Sequence, residues 1–105
     1  MKTAKNSTLK NVIKAAKKVT APRKIILFGS AARSDEYNDL DFLIIVPEDV
    51  HRRRTAQKIY KELGLTDTAV DIIVATEKDV EKYHDSPALV ISPAISEGEV
   101  IYEAA

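Results

Sequence analysis

The sequence predicts a two-layer α/β or α+β domain, a small sheet of four short strands covered mainly on one side by helices. Three observations lead there. Short apolar runs of strand length, IILF, DLDFLIIV and AVDIIVA, recur along the chain. Segments with apolar residues at helical spacing alternate with them, and glycine or proline stands at most of the junctions. At 105 residues there is room for one core, so residues 1–105 read as a single domain.

Leu9, Val12, Ile13 and Ala16 keep the i, i+3, i+4, i+7 rhythm of an amphipathic helix, with Ser7 as its cap and Pro22 as its stop. RKIILFG, residues 23–29, reads as a buried strand ending in glycine, and DLDFLIIV, residues 39–46, as a second strand that Pro47 terminates. A helix over residues 49–63 puts Ala56, Ile59, Tyr60 and Leu63 on its core face and ends at Gly64. AVDIIVA, residues 69–75, is the third strand. Thr76 caps a helix carrying Val80 and Tyr83; Ser86 and Pro87 begin another, which Pro93 should kink or divide. GEVIYE, residues 98–103, closes the chain as an edge strand.

Composition removes several chemistries. Without cysteine there is no disulfide, thiolate metal site or cysteine nucleophile. No apolar run approaches the roughly 18 residues of a membrane span, and the N-terminus has no leader-like apolar stretch, so the chain reads as cytoplasmic with no membrane partner. Net charge is zero, which argues against broad, direct nucleic-acid binding. The first 24 residues nevertheless carry eight Lys or Arg and no acid, while residues 77–105 carry seven acids against two lysines. Such opposed ends suit a charged partner or a second copy of the chain, although solvated faces are the commoner explanation, since exposed charges usually only keep a domain soluble.

Chemistry concentrates in FGSAARSDEYNDLDFLIIV, residues 28–46. Side chains two apart on a strand share a face, so Asp39 and Asp41 point together with Cα atoms about 6 to 7 Å apart. Two carboxylates so placed suit Mg²⁺, a hard cation that takes oxygen ligands together with substrate phosphates, and they suit the paired ions of phosphoryl transfer. Asp71 sits mid-strand on a face it shares with Ile73, where an unpaired carboxylate would be costly. Gly29 allows a close backbone approach, and Ser30 with Arg33 could contact a phosphate at the following turn. Taken singly, an Asp-x-Asp can cap an entering strand and a Gly-Ser pair can be a plain turn; their combination carries the argument.

Phe28-Gly29-Ser30, a spacer of eight residues, Asp39-Leu40-Asp41-Phe42 and Asp71 in VDIIV resemble the motif of the minimal nucleotidyltransferase (MNT) domain of the DNA polymerase beta superfamily. That resemblance implies a nucleotidyltransferase fold, a small mixed sheet of about four strands flanked by helices. It implies that Asp39 and Asp41 bind metal, with Asp71 as the third carboxylate that helps an acceptor hydroxyl attack the α-phosphate. Gly29 and Ser30 would hold the β and γ phosphates. Mg²⁺, with Mn²⁺ as a substitute, and ATP or another NTP are the implied cofactor and substrate. Similar domains pair with small helical HEPN proteins as antitoxin and toxin, and some attach AMP to a tyrosine of the HEPN ribonuclease.

Two functions follow. One is metal-dependent transfer of a nucleoside monophosphate, AMP foremost, to a hydroxyl of a partner protein. The other is a non-catalytic module that binds nucleotide or neutralises its partner by complex formation alone. HRRRTAQK, residues 51–58, could grip triphosphate, nucleic acid or an acidic partner, or be a solvated helix start; its basic first turn opposes the helix dipole. Tyr37 could stack on a base, and His51 and His84 lack metal-ligand spacing.

Overall fold

The computed structural model describes residues 2–34, 39–47, 50–84 and 91–105. Helix α1 (Lys2–Val19) is followed by strand β1 (Lys24–Phe28), the single-turn helix α2 (Ser30–Arg33), β2 (Asp39–Val46), α3 (Arg52–Leu63), β3 (Ala69–Thr76), α4 (Glu77–Tyr83), α5 (Ile91–Glu97) and β4 (Glu99–Glu103). The four strands form one mixed sheet in the order β3-β2-β1-β4. β1 runs antiparallel to both β2 and β4, whereas β2 and β3 are parallel and joined through α3. A parallel pair cannot be closed by a tight turn, so this crossover helix is a geometric requirement.

Alternation along the strands divides the core. Ile25, Leu27, Leu40, Phe42, Ile44, Val46, Ile72 and Val74 point to one face and pack with Val12 and Ala16 of α1 and Ile59 of α3. Ile26, Leu43, Ile45 and Ala75 point to the other and pack with Ala94 of α5, beside Val80 and Ile91. The sheet therefore has helices on both faces, not mainly on one. α5 runs from Ile91 to Glu97 with Pro93 in its first turn, where a missing N–H is tolerated.

Other boundaries differ from the sequence reading for local reasons. α1 begins at Lys2, so Ser7 is an interior helix residue and not its cap. α3 begins at Arg52 because His51 is the N-cap: its Nδ1 accepts the Arg54 N–H at 3.1 Å. Asp49, the expected start, lies outside the described residues, as do Ser86, Pro87 and Tyr37. Tyr60 is 41% exposed instead of core; its hydroxyl accepts the Ile72 N–H at 2.7 Å, covering a donor on the edge strand β3. Ile59 is fully buried, and Ala56 and Leu63 pack against the core. Gly64 ends α3 at φ 75°, with its N–H on the Tyr60 carbonyl. Thr76 caps α4 as expected, exchanging bonds with Asp79 in a complete capping box.

The opposed charges of the chain ends meet partly within the fold. Arg23 pairs with Glu77 at 3.6 Å and Lys24 with Glu103 at 3.8 Å, and Lys17 sits over the Tyr102 ring.

Candidate active site

β1 and β2 are antiparallel with Phe28 opposite Asp41, and β2 and β3 are parallel with Asp41 beside Asp71. Register alone therefore sets Asp41 in the centre, flanked by Asp71 on one strand and by the end of β1 on the other. Asp39, two residues earlier, projects from the same face. One carboxylate oxygen from each of Asp39, Asp41 and Asp71 lies within 4.8 Å of the other two. Asp39 and Asp71 are exposed and Asp41 is half-buried. The expected cost of an unpaired Asp71 beside apolar Ile73 is reduced, because Asp71 is exposed and Ile73 itself is 36% exposed; Asp71 lies level with Asp41 across the parallel pair.

Electrostatics register the crowding. Burial, a hydrogen bond to Asp71, and the charges of Asp71 and Asp39 all push the Asp41 carboxyl above the usual carboxylate range. Three converging carboxylates repel one another unless a cation or a proton intervenes. All-oxygen donors on rigid strand ends match a hard divalent cation such as Mg²⁺ and not a soft metal.

Gly29 completes the wall. Its φ of 77° and ψ of −158° fall in a region that only glycine adopts readily. A Cβ there would stand 2.5 Å from Asp41 Oδ2. Glycine is needed twice over, for the turn from β1 into α2 and for the room that Asp41 occupies. Ser30, exposed, begins α2, and Arg33 ends it; the Arg33 side chain lies outside the described residues. Sequence reading missed Lys5, whose ammonium group donates to the Ala31 carbonyl at 2.5 Å and ties α1 to this turn. A contact spanning 26 residues leaves no local signal.

The basic stretch HRRRTAQK lies elsewhere. β2 carries the chain from Asp39 to Val46, seven steps of about 3.3 Å or roughly 23 Å, before α3 starts. Arg52 there bonds Asp79 at 2.7 Å, bracing α3 against the α4 capping box, so the stretch is not a grip for triphosphate at the aspartates.

The family model described as polymerase beta, nucleotidyltransferase, matches residues 10–105. The chain belongs to this nucleotidyltransferase family. No curated protein matches it by sequence. Among solved structures it is similar to a chain from the complex of a tri-AMPylated Shewanella oneidensis HEPN toxin with MNT antitoxin. The identity is 18%, the TM-score 0.59, and the match covers 94% of this chain and 72% of that one. A toxin–antitoxin structure with AMP-PNP is similar at 18% identity and TM-score 0.62, covering 91% of this chain and 73% of the other. A mutant of the toxin–antitoxin MntA–HpeT gives 16% and 0.61, with coverages of 91% and 73%. At such identities the likeness is one of fold: this nucleotidyltransferase shares the architecture of chains in MNT–HEPN complexes. No helix among the described residues is long and apolar enough to cross a membrane.

Proposed function

We propose that this nucleotidyltransferase moves AMP from ATP to a hydroxyl of a small helical HEPN-type protein and is the antitoxin of that pair. The observation that carries the reading is the convergence of the Asp39, Asp41 and Asp71 carboxylates within 4.8 Å beside the Gly29 turn. Family membership supports transfer of a nucleotide. The partner and the nucleotide are supported by the similar complexes, one described with an AMPylated HEPN toxin and another with AMP-PNP. On this reading residues 1–105 act as a single minimal nucleotidyltransferase domain, in the cytoplasm, where ATP is supplied.

Asp39 and Asp41 would hold Mg²⁺, or Mn²⁺ in its place, with Asp71 as the third ligand. When bound, the cations would offset triphosphate charge and favour deprotonation of the attacking hydroxyl. Gly29 lets the backbone approach the β and γ phosphates, and Ser30 and Arg33 add a hydroxyl and a guanidinium to hold them. Asp71 orients the acceptor hydroxyl and takes its proton. The acceptor oxygen bonds to the α-phosphorus, the bond from that phosphorus to the bridging oxygen breaks, and pyrophosphate leaves with the bonding pair.

Labelled ATP tests this directly. The protein is incubated with Mg²⁺, the product of a neighbouring gene or source-cell extract, and ATP labelled at the α or the γ phosphate. Transfer from α and not γ to a protein, lost in Asp39→Asn and Asp71→Asn, is the expected result. Undiminished transfer by both variants would refute the assignment. Stable association without transfer would select neutralisation by binding alone.

A further inference from the structure

Zero net charge is an average over two very different halves. Eleven of the sixteen Lys and Arg residues lie on α1 and α3, six on the first and five on the second, and only one of the sixteen acids, Glu62, lies with them. These helices pack together on the face of the sheet that receives Leu40, Phe42, Ile44 and Val46. The three aspartates project from the opposite face. Lys10, Lys14, Arg54, Lys58 and Lys61 are all exposed, spaced four and three residues apart so that each series follows the outer side of its helix.

Helix stability does not explain the pattern. Lys10 with Lys14, Lys14 with Lys18 and Arg54 with Lys58 are like charges one turn apart, which destabilise a helix. Neither α1 nor α3 has an acid in its first turn, whereas α4 places Glu77 and Asp79 there, as the helix dipole favours. The same chain thus uses dipole-matched acids on one layer and omits them from the other.

We infer that the outer surface of α1 and α3 binds the phosphate backbone of a nucleic-acid duplex without reading its sequence, on the side of the molecule away from the aspartates. A polyanion responds to the local potential and not to the net charge, so the balanced total is no obstacle. The chemistry separates nucleic acid from an acidic protein. Protein interfaces have an apolar core and are depleted in lysine; among the described residues the exposed large apolar side chains are Tyr60, Leu65, Ile73, Ile95 and Val100, with Tyr60 on α3 and none on α1. Phosphate interfaces are polar and strongly basic. Base stacking on single strands needs a row of aromatic side chains, and Tyr60 is the only aromatic residue of the two helices.

The test is fluorescence-anisotropy binding of a short labelled RNA duplex, and of its DNA counterpart, to the full chain in EDTA over a salt series. Wild type should bind with a log K against log salt slope near −0.9 per phosphate neutralised. Lys10→Gln, Lys14→Gln, Arg54→Gln and Lys58→Gln combined should weaken binding at low salt by at least about tenfold and flatten the slope by roughly three to four, about one per contact removed. Asp39→Asn should leave both unchanged. A salt-independent wild-type affinity, which needs no variant to fold, overturns the proposal. So does retained binding in the folded quadruple variant, or loss of binding in Asp39→Asn, which would move the contact to the aspartate face. Competition by polyglutamate as strong as by duplex would assign the surface to an acidic protein, and salt-sensitive self-association without nucleic acid would assign it to a second copy. The outcome is independent of whether AMP is transferred.

Discussion

Gly29 is the residue whose replacement separates backbone from chemistry. Gly29→Ala meets two penalties, a φ of 77° and a Cβ at 2.5 Å from Asp41 Oδ2. The first costs about 1 to 3 kcal/mol; the second displaces the central carboxylate. The expected outcome is a folded protein of lower melting temperature whose nucleotidyl transfer falls far more than its stability, checked by calorimetry and the labelled-ATP assay on one preparation. Asp41 gives the opposite sign. Burial and the neighbouring carboxylates raise its folded pKa, so at neutral pH its ionised form destabilises the metal-free fold. Asp41→Asn should therefore raise the melting temperature in EDTA while abolishing transfer. A lower melting temperature would mean that Asp41 is structural. The Asp-x-Asp pair and Gly-Ser were legible in the sequence because spacing of two on a strand fixes a shared face. The tightness of Gly29 against Asp41 was not, because it depends on how β1 and β2 align.

At the scale of elements, the α4 capping box links local sequence to tertiary structure. Thr76 accepts the Asp79 N–H at 3.0 Å, Asp79 accepts the Thr76 N–H at 2.9 Å, and Arg52 reaches across from α3 at 2.7 Å. Burial would raise the Asp79 pKa, but the Thr76 N–H, the Arg52 guanidinium and the Thr76 hydroxyl together hold it below the usual carboxylate range. Thr76→Ala should cost about 1 kcal/mol. A lowered folded pKa stabilises at pH values above the unfolded value of 3.8, and that contribution is lost as pH falls from there through the folded pKa. Acid unfolding of Asp79→Asn should consequently be less steep below pH 3.8 than that of wild type; identical profiles would show that the box carries no pH-linked stability. Thr76 was readable as a cap because capping is local. Tyr60 was misread because helical spacing cannot tell a core position from one that reaches over the edge of a neighbouring strand. Ser7 failed as a cap because α1 continues well beyond its apolar stripe, toward the turn that Lys5 holds.

For the whole molecule, the strand order β3-β2-β1-β4 brings residues from three strands to one end of the sheet, and this juxtaposition was the least legible feature. Apolar runs identified β2 to the residue, yet no run states that β3 lies parallel beside it with Asp71 level with Asp41. Resemblance to the family grouped Asp71 with Asp39 and Asp41; the parallel pairing and its register come from the structure. A fold whose active-site carboxylates repel one another should gain stability when ligand arrives. Binding to the folded state alone contributes RT ln(1 + [L]/Kd), about 2.7 kcal/mol at a hundredfold excess over Kd. For a domain near this size that corresponds to roughly 10 °C in melting temperature. Mg²⁺ with a non-hydrolysable ATP analogue should produce a shift of that order in wild type, and Mg²⁺ alone a smaller one. Asp39→Asn should abolish both, since the pair proposed to share the cations is broken. Equal shifts in wild type and Asp39→Asn would place nucleotide binding away from the aspartates and separate the fold from the chemistry proposed for it.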